Sequence, residues 1–294
     1  MGAYAIPPEA SPPRPPDDGT LYTLPGADRT FTSNQIRGPS PADWHPGDHP
    51  PMPDIVANGR GANVRACAMS HYPNGKGRPE NAGVAGLPVA YFIQQMHDFR
   101  SDLRHSSEPR KGNATRMVEF AKAMTDAEIE AAAGYFGSMA WTAWIRVVET
   151  DTVPKTYVRG GLHLELEGGA AGTEPIGQRI IETSENTEYA EVHRNPRSGF
   201  IAYVPVGAIA EGEALVQTGA GRTIRCAVCH GSDLRGLGPL PGLAGRSPSY
   251  VVRALYDMKQ GMRQGAWADL MKPVVEHLSA EDMLNIVAYT ASLT

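Results

Sequence analysis

Apolar residues recur at helical spacing in two separate stretches of the chain, and each stretch follows a helix-start signature. Thr125 to Glu128 and Ser279 to Asp282 both fit the S/T-x-x-D/E capping pattern. The helices that follow carry apolar and aromatic residues at matching positions. These are Ala132, Ala133 and Met139 against Ile286, Val287 and Leu293, with Tyr135 matching Tyr289. The pattern predicts two similar helices, one mid-chain and one at the end.

The stretch between these helical regions has a different pattern. Residues 162–167 alternate strictly between apolar and polar, and residues 200–204 are β-branched and aromatic, with Gly and Pro around both. We expect a small β-rich insert over residues 141–205. Residues 1–50 contain many of the prolines and no periodic apolar pattern, which favours an extended arm on the surface.

Length, charge and hydropathy limit the classes of protein to which this chain can belong. A chain of 294 residues favours two domains. A formal net charge of -5 and scattered basic residues argue against nucleic acid as a partner. No stretch approaches the roughly 18 to 20 apolar residues of a membrane helix. The start of the chain has neither a charged nor an apolar signal region, so we expect no signal peptide in it.

An internal repeat organises the chain. A tyrosine follows a histidine by 20 residues twice, at His71 and Tyr91 and again at His230 and Tyr250. The register continues through a glycine, an aspartate, an arginine and, after five extra residues in the first copy, a methionine. These pairs are Gly86 and Gly245, Asp98 and Asp257, Arg104 and Arg263, and Met117 and Met271. Each copy predicts a first helix, around residues 55–60 and 209–216, followed by a C-x-x-x-H segment, a loop, a helix, a methionine-bearing loop and a final helix.

The second copy carries the clearest chemistry. Cys226 and Cys229 alone would suit a redox dithiol or half a zinc site, but the adjacent His230 makes the motif C-x-x-C-H, the haem c attachment signature. One helical turn places two thiols beside the porphyrin vinyl groups while the imidazole points at the iron. No second C-x-x-C or paired histidines supply the remaining zinc ligands.

In the first copy, Cys67 to His71 reads C-x-x-S-H, with Ser70 where the second cysteine belongs. A serine hydroxyl forms no thioether, so at most one covalent link can form. Three alternatives stay open. Haem is retained through Cys67, or the copy is a relict without haem, or the iron site is altered so that His97, His105 or an empty position replaces Met117.

Both copies resemble class I cytochrome c domains, and the pair resembles the dihaem, cytochrome c4-like family. The resemblance covers residues 51–140 and 206–294 and implies a mainly α fold with the two domains in tandem. It implies two haem c groups, one on two thioethers at Cys226 and Cys229 and one on a single thioether at Cys67. The axial ligands would be His71 with Met117 and His230 with Met271.

Further residues have weaker assignments. Met271 lies in an irregular Gly/Ala-rich approach to Lys272-Pro273, which favours it over the other methionines of that copy, which suit core packing. The repeated tyrosines and arginines, Tyr91, Tyr250, Arg104 and Arg263, either meet haem propionates or fill the core and hold Asp98 and Asp257. The remaining histidines show no ligand spacing and suit surface or locally bonded positions; they are His45, His49, His163, His193 and His277.

Two six-coordinate irons would leave no position for substrate, so we expect an electron carrier rather than an enzyme. Its partners would be periplasmic redox proteins, with a dehydrogenase or quinol-oxidising complex as donor and an oxidase or another cytochrome as acceptor. The alternatives are the cytochrome subunit of a periplasmic dehydrogenase complex and a dihaem enzyme of the peroxidase or thiosulfate-oxidising type. The resemblance implies haem attachment outside the cytoplasm, with the export signal removed.

Overall fold

The computed structural model describes residues 5, 6, 16–61, 63–168 and 171–294. The helices are α1 (Ser33–Ile36), α2 (Asp54–Ala57), α3 (Cys67–His71), α4 (Val89–Arg100), α5 (Gly112–Ala123), α6 (Asp126–Gly137), α7 (Ala208–Thr218), α8 (Ala227–His230), α9 (Pro248–Lys259), α10 (Ala266–Asp269), α11 (Lys272–Val275) and α12 (Ala280–Ser292). Within the described residues, no helix has the length and apolar character needed to cross a membrane.

The strands are short. They are β1 (Gly59–Arg60), β2 (Val64–Arg65), β3 (Ile145–Glu149), β4 (Thr152–Pro154), β5 (Thr156–Arg159), β6 (Leu162–Glu165), β7 (Thr173–Pro175), β8 (Ile181–Ser184), β9 (Phe200–Val204), β10 (Gly236–Leu237) and β11 (Leu240–Pro241).

The helices form two groups, each around its own hydrophobic core. Helices α2 to α6, here called the first half, enclose residues that include Val56, Ile129 and Phe136. Helices α7 to α12, the second half, enclose residues that include Leu215 and Val287. Burial of these side chains is the main favourable contribution to the folding free energy of each group.

The expected helix starts are confirmed. Thr125 and Ser279 cap α6 and α12 through complete capping boxes, in which Glu128 and Asp282 bond back to the cap backbone. These reciprocal bonds satisfy backbone N–H groups that a helix end leaves without partners.

The opening helices of the two halves differ in length. Helix α7 has 11 residues and packs along α12, with Gly212 so close that a Cβ there would lie 1.9 Å from the carbonyl oxygen of Asn285. Helix α2 has 4 residues and ends before Gly59. Gly59 is left-handed, with φ +68°, and opens the β1–β2 hairpin, so the helix expected over residues 55–60 is shorter than predicted.

The segments that carry the repeated methionines also differ. Met271 lies between the one-turn helices α10 and α11, as expected of an irregular segment, and Pro273 opens α11. Met117 lies inside the 12-residue helix α5, so the methionine-bearing loop expected in the first half is wrong. Residues 112–123 contain no proline, and Val118 and Ala121 give this segment a buried helical face.

Between the halves lies the β-rich region. Strands β3, β9 and β8 form a sheet in that order, with β3 and β9 parallel and β8 and β9 antiparallel. Strands β5 and β6 form a hairpin in which Leu162 and Leu164 are buried. The strands predicted from the alternation at 162–167 and the apolar run at 200–204 are therefore present.

The described part of the N-terminal arm is more structured than an extended strap. Thr32 caps α1 with a capping box, and Leu24, Ile36 and Trp44 form a buried cluster. The Trp44 indole donates to the carbonyl of His193 at 2.8 Å. Residues 1–4 and 7–15, also part of the predicted arm, lie outside the described residues.

Candidate functional sites

The C-x-x-C-H segment of the second half is helical, as expected. Cys226 precedes α8, and its carbonyl accepts the backbone N–H of His230 at 2.9 Å, which places Cys226 and Cys229 one turn apart. The His230 Nδ1 lies 2.7 Å from the carbonyl oxygen of Pro241. A carbonyl only accepts, so Nδ1 carries the hydrogen and the Nε2 lone pair is available to a metal.

The C-x-x-S-H segment repeats this geometry. It forms α3, and His71 Nδ1 lies 2.8 Å from the carbonyl oxygen of Ala82. In both halves the acceptor lies 11 residues after the histidine. Neither Nε2 has a hydrogen-bond partner in the part of the chain that the structure describes. Burial lowers the pKa of both imidazoles, which favours the neutral form that ligates metals.

The cysteines do not have the properties of a redox dithiol. None of the three forms a disulfide, and burial raises the pKa of Cys67 to about 12 and that of Cys226 to about 11. Redox-active C-x-x-C sites lower the thiol pKa instead. Among the described residues no group of three His, Cys, Asp or Glu side chains could hold a metal ion, which also argues against zinc.

The two predicted methionine ligands lie against the expected cores. Met117 and Cys67 both pack against the first core, and Met271 and Cys226 both pack against the second. The proposed replacements for Met117 have other neighbours. His97 lies 3.7 Å from the Asp126 carboxylate, and His105 Nε2 lies 2.9 Å from the Asp102 carbonyl oxygen.

The repeated arginines and tyrosines meet between the halves, in a crossed arrangement. Arg104 of the first half donates to the Tyr250 hydroxyl of the second at 3.1 Å, and Arg263 of the second donates to the Tyr91 hydroxyl of the first at 2.6 Å. Both arginines also donate to the Gln95 side-chain oxygen, at 2.8 and 2.6 Å. The backbones of Arg104 and Arg263 pair as an antiparallel bridge.

The crossed cluster brings two buried positive charges close together. The pKa of Arg104 is lowered by burial and by the neighbouring charge of Arg263. The hydrogen bonds that hold the two guanidinium groups go to phenol and amide oxygens. Burial lowers the pKa of Arg263, but Tyr91, Tyr250 and Asp257 outweigh it, so the pKa is raised. Asp98, one of the carboxylates expected to pair with them, instead accepts bonds from the amides of Gln94 and Gln95, each at 2.8 Å.

Sequence reasoning missed several residues around the sites. Gln95 has no counterpart in the repeat register, and no sequence signal points to it. The insert residue Arg194 donates to the Met69 carbonyl within the first attachment segment, across 125 positions. His45 and His193, expected at the surface or locally bonded, are both buried beside the arm. The other three histidines without ligand spacing have local or exposed positions.

Comparisons with known proteins identify the family. No family model matches the chain. The cytochrome c-554(548) of Halomonas halodenitrificans is 41% identical over 68 residues, which cover 23% of this chain and 82% of that protein. The cytochrome c-554(547) of Halothiobacillus neapolitanus is 34% identical over 85 residues, covering 25% of this chain and 93% of that protein. The chain therefore belongs to the class I c-type cytochromes, and its further relatives are of the dihaem, cytochrome c4 type.

The matches to the longer, cytochrome c4-type relatives span only part of those proteins. The cytochrome c4 of Stutzerimonas stutzeri is 35% identical over 83 residues, 26% of this chain and 40% of that protein. Among solved structures, the thiosulfate dehydrogenase TsdBA from Marichromatium purpuratum has a TM-score of 0.54 at 25% identity, over 82% of this chain and 39% of that one. Cytochrome c4 from Pseudomonas stutzeri shares the fold, with a TM-score of 0.50 at 18% identity. The match covers 78% of this chain and 93% of that one.

Proposed function

We propose that this chain binds two haem c groups and transfers single electrons between redox proteins of the periplasm. The observation that carries the proposal is the matched pair of histidines. Each sits at the end of an attachment helix, donates from Nδ1 to a carbonyl 11 residues later and keeps Nε2 available. A hydrogen bond of this kind fixes the orientation of a ligating imidazole and raises its basicity.

The ligand sets follow from the residues at each site. In the second half, Cys226 and Cys229 would provide two thioethers, with His230 and Met271 as axial ligands. In the first half, Cys67 would provide one thioether, with His71 and Met117 as ligands. A bound haem supplies one-electron iron chemistry. Ligation of the iron by a methionine sulfur would raise its reduction potential.

The crossed cluster suits haem propionates. The two buried guanidinium groups lie close together, and their hydrogen bonds go to phenol and amide oxygens rather than to carboxylates. Carboxylates supply the bidentate acceptors that guanidinium groups prefer. Because Arg104 and Arg263 each bond a tyrosine of the opposite half, propionates bound here would bring the inner edges of the two sites together.

The proposal includes the division of the chain. Residues 51–140 and 206–294 would be the two cytochrome c domains, joined by the insert at 141–205 and preceded by the arm at 1–50. Covalent haem attachment takes place outside the cytoplasm in this family, which supports a periplasmic location. The fold does not specify which donor dehydrogenase or quinol-oxidising complex, and which acceptor, exchange electrons with it.

Intact mass spectrometry of the holoprotein, with optical spectroscopy, tests this function. We expect a mass gain of two covalent haems, and a reduced spectrum with two components, because a haem with one remaining vinyl group absorbs at longer wavelength. Met117→Ala and Met271→Ala should each remove half of the sulfur-to-iron charge-transfer band of the oxidised protein. A mass gain of one haem, with only one spectral component, would contradict the two-haem function.

The likeness to TsdBA favours one second candidate, oxidation of thiosulfate. The similarity spans 39% of that chain, so it concerns part of that protein. An enzyme of this kind needs an exchangeable iron ligand in one site, and the altered first site is where it would lie. Thiosulfate-dependent reduction of the holoprotein, lost on His71→Ala, would support the enzyme. A low-spin spectrum unchanged by thiosulfate would support the carrier.

A further inference from the structure

The two attachment sites differ sharply in how far they are covered by protein. Of the nine residues after His71, seven are buried, whereas of the nine after His230 only Leu234 is. Arg78 and Leu237 occupy the same repeat position, each seven residues after its histidine, and they are 6% and 56% exposed. The same local structure is therefore enclosed in one half and open in the other.

The insert supplies several of the contacts that cover the first site. Arg194 donates to the Met69 carbonyl, and its guanidinium lies 5.6 Å from the centre of the Tyr72 ring. Asn74 donates to the Pro196 carbonyl at 2.7 Å. We call residues 188–197 of the insert the cap.

An ion network and the arm hold the cap in place. Arg78 bonds Glu80 at 2.6 Å and the cap residue Glu191 at 3.2 Å, and all three side chains are buried. On the outer side, Arg197 makes two bonds to Asp48 of the arm, each at 2.7 Å. The cap is thus enclosed between the first attachment segment and the arm.

The second attachment segment carries exposed apolar side chains instead. Val228 lies between the two attachment cysteines and is 55% exposed, and Leu237 follows on β10, which contacts α8. Ile224 and Leu270 are also exposed, and Thr223 bonds the Val274 carbonyl at 2.7 Å, which joins their two segments. We call these four residues the open patch.

The charges beside the open patch include two ion pairs and the exposed basic residues Arg225 and Arg235. Arg222 pairs with Asp282, and Lys272 pairs with Asp269 at 2.7 Å. The four exposed apolar side chains favour a partner with an apolar contact face. Small apolar contacts of this type are usual for transient redox complexes.

We infer that redox proteins exchange electrons with this chain only at the open patch, because the cap closes the first site to docking. This inference rests on the proposed function. The partner is a redox protein with an apolar face around its own redox centre. It loses or gains one electron, the chain gains or loses one, and no bond is made or broken. Electrons of the first site then pass through the second.

The test uses the holoprotein and reduced azurin, a blue-copper protein, as the probe. Leu237→Lys places an unpaired charge in the open patch, and Val206→Lys is the matched control, since Val206 is 63% exposed and outside the patch. In stopped-flow reduction, Leu237→Lys should slow both spectral components about tenfold, a typical range for variants of one interface. Val206→Lys should slow neither, and reduction by ascorbate should be unchanged in both variants.

A second readout does not depend on electron transfer. In hydrogen exchange with the oxidised holoprotein, redox-inactive zinc azurin should protect peptides of residues 224–237 and leave residues 67–80 unchanged. Protection at 67–80, or a first-site component that keeps its rate in Leu237→Lys, would overturn the inference. If only one haem component is present, the proposed function fails. The inference is then judged by the exchange map, where protection at 224–237 alone still supports it.

Opening the cap gives the converse result. Arg194→Ala combined with Asn74→Ala removes two of the bonds between the insert and residues 67–80 and leaves the Arg78–Glu191 pair in place. We expect faster reduction of the first-site component by azurin, and that gain should persist when Leu237→Lys is added. Circular dichroism verifies folding, and an unchanged first-site rate in a folded variant would count against the cap as a barrier.

Discussion

The two halves of this cytochrome share an internal register but differ in what surrounds it. Both place a histidine at the end of an attachment helix and bond its Nδ1 to a carbonyl 11 residues later. The second half keeps a long opening helix and an exposed attachment segment. The first half has a one-turn opening helix and an attachment segment that the insert covers.

The first half has less helix packing of its own than the second half, and contacts from other parts of the chain compensate for this. The packing between α7 and α12 that supports the second core is much reduced between α2 and α6. The insert and the arm add contacts in its place, through Arg194, Asn74 and the buried Arg78–Glu191 pair. We interpret the missing cysteine at Ser70 in the same way, as a lost covalent link in a segment that other parts of the chain hold.

The largest effect on stability is expected at the close contact between α7 and α12 in the second half. Gly212→Ala should lower the free energy of unfolding by about 3 kcal/mol, because the added Cβ would lie 1.9 Å from the Asn285 carbonyl oxygen. The matched control is Gly134→Ala, on the exposed face of α6, where a Cβ meets nothing within 4 Å. It should raise stability by up to about 1 kcal/mol. Thermal unfolding followed by circular dichroism compares them, and equal effects would contradict this account.

The next largest effect is on the pH dependence of stability and comes from the buried Glu182 of the insert. Its carboxylate accepts a hydrogen bond from the hydroxyl of Ser247, which caps α9. Burial raises the pKa of Glu182 to about 7, from 4.5 in a free side chain. The folded chain therefore holds more protons between those pH values. This stabilisation is complete below pH 4.5 and is lost as the pH rises through 7.

Glu182→Gln should remove this pH dependence. Between pH 4.5 and 7.5 the wild type should lose about 2 to 3 kcal/mol relative to Glu182→Gln, measured by urea unfolding. Glu174→Gln is the control, because Glu174 is a surface residue of the same insert that pairs with Arg179. Its pH profile should follow the wild type. Parallel profiles for Glu182→Gln and wild type would show that Glu182 does not titrate in this range.

A smaller effect is expected from loosening the cap. Arg194→Ala should destabilise the first half by about 1 to 2 kcal/mol, since a charged donor to the Met69 carbonyl and a contact with the Tyr72 ring are lost. Arg235→Ala near the second attachment segment removes an exposed bond to the Thr294 carbonyl and should change stability by less than about 0.5 kcal/mol. Hydrogen exchange of residues 67–80 measures the local opening; no increase there would count against the cap.

The smallest effect should come from restoring the missing cysteine. Ser70→Cys should leave stability within about 0.5 kcal/mol, because the Ser70 hydroxyl makes no hydrogen bond among the described residues. If the first half holds haem, the longer-wavelength component should move toward that of the second half. Cys229→Ser is the matched change in the second half, and it should shift that component the opposite way. An unchanged spectrum in Ser70→Cys would argue against haem in the first half.

Much of the fold follows from local patterns that the sequence displays. The capping boxes at Thr125 and Ser279 depend on residues three positions apart, and the helical attachment segments on residues within one turn. The Ser247–Pro248 start of α9 is also local. Interactions at such short separation depend little on the rest of the chain, so the sequence predicts them well. The length of α2 and the helix around Met117 were not predicted, because a hairpin and a buried face decided them.

The amino-acid sequence by itself determined the C-x-x-C-H site, the repeat that pairs it with Cys67 to His71, and the residue types present at each of the two sites. Only the tertiary structure decided that Arg104 and Arg263 cross to the tyrosines of opposite halves, and that the insert covers one site and leaves the other open. These contacts join residues 125 to 172 positions apart. They depend on how the two halves and the insert pack, and no local spacing encodes that arrangement.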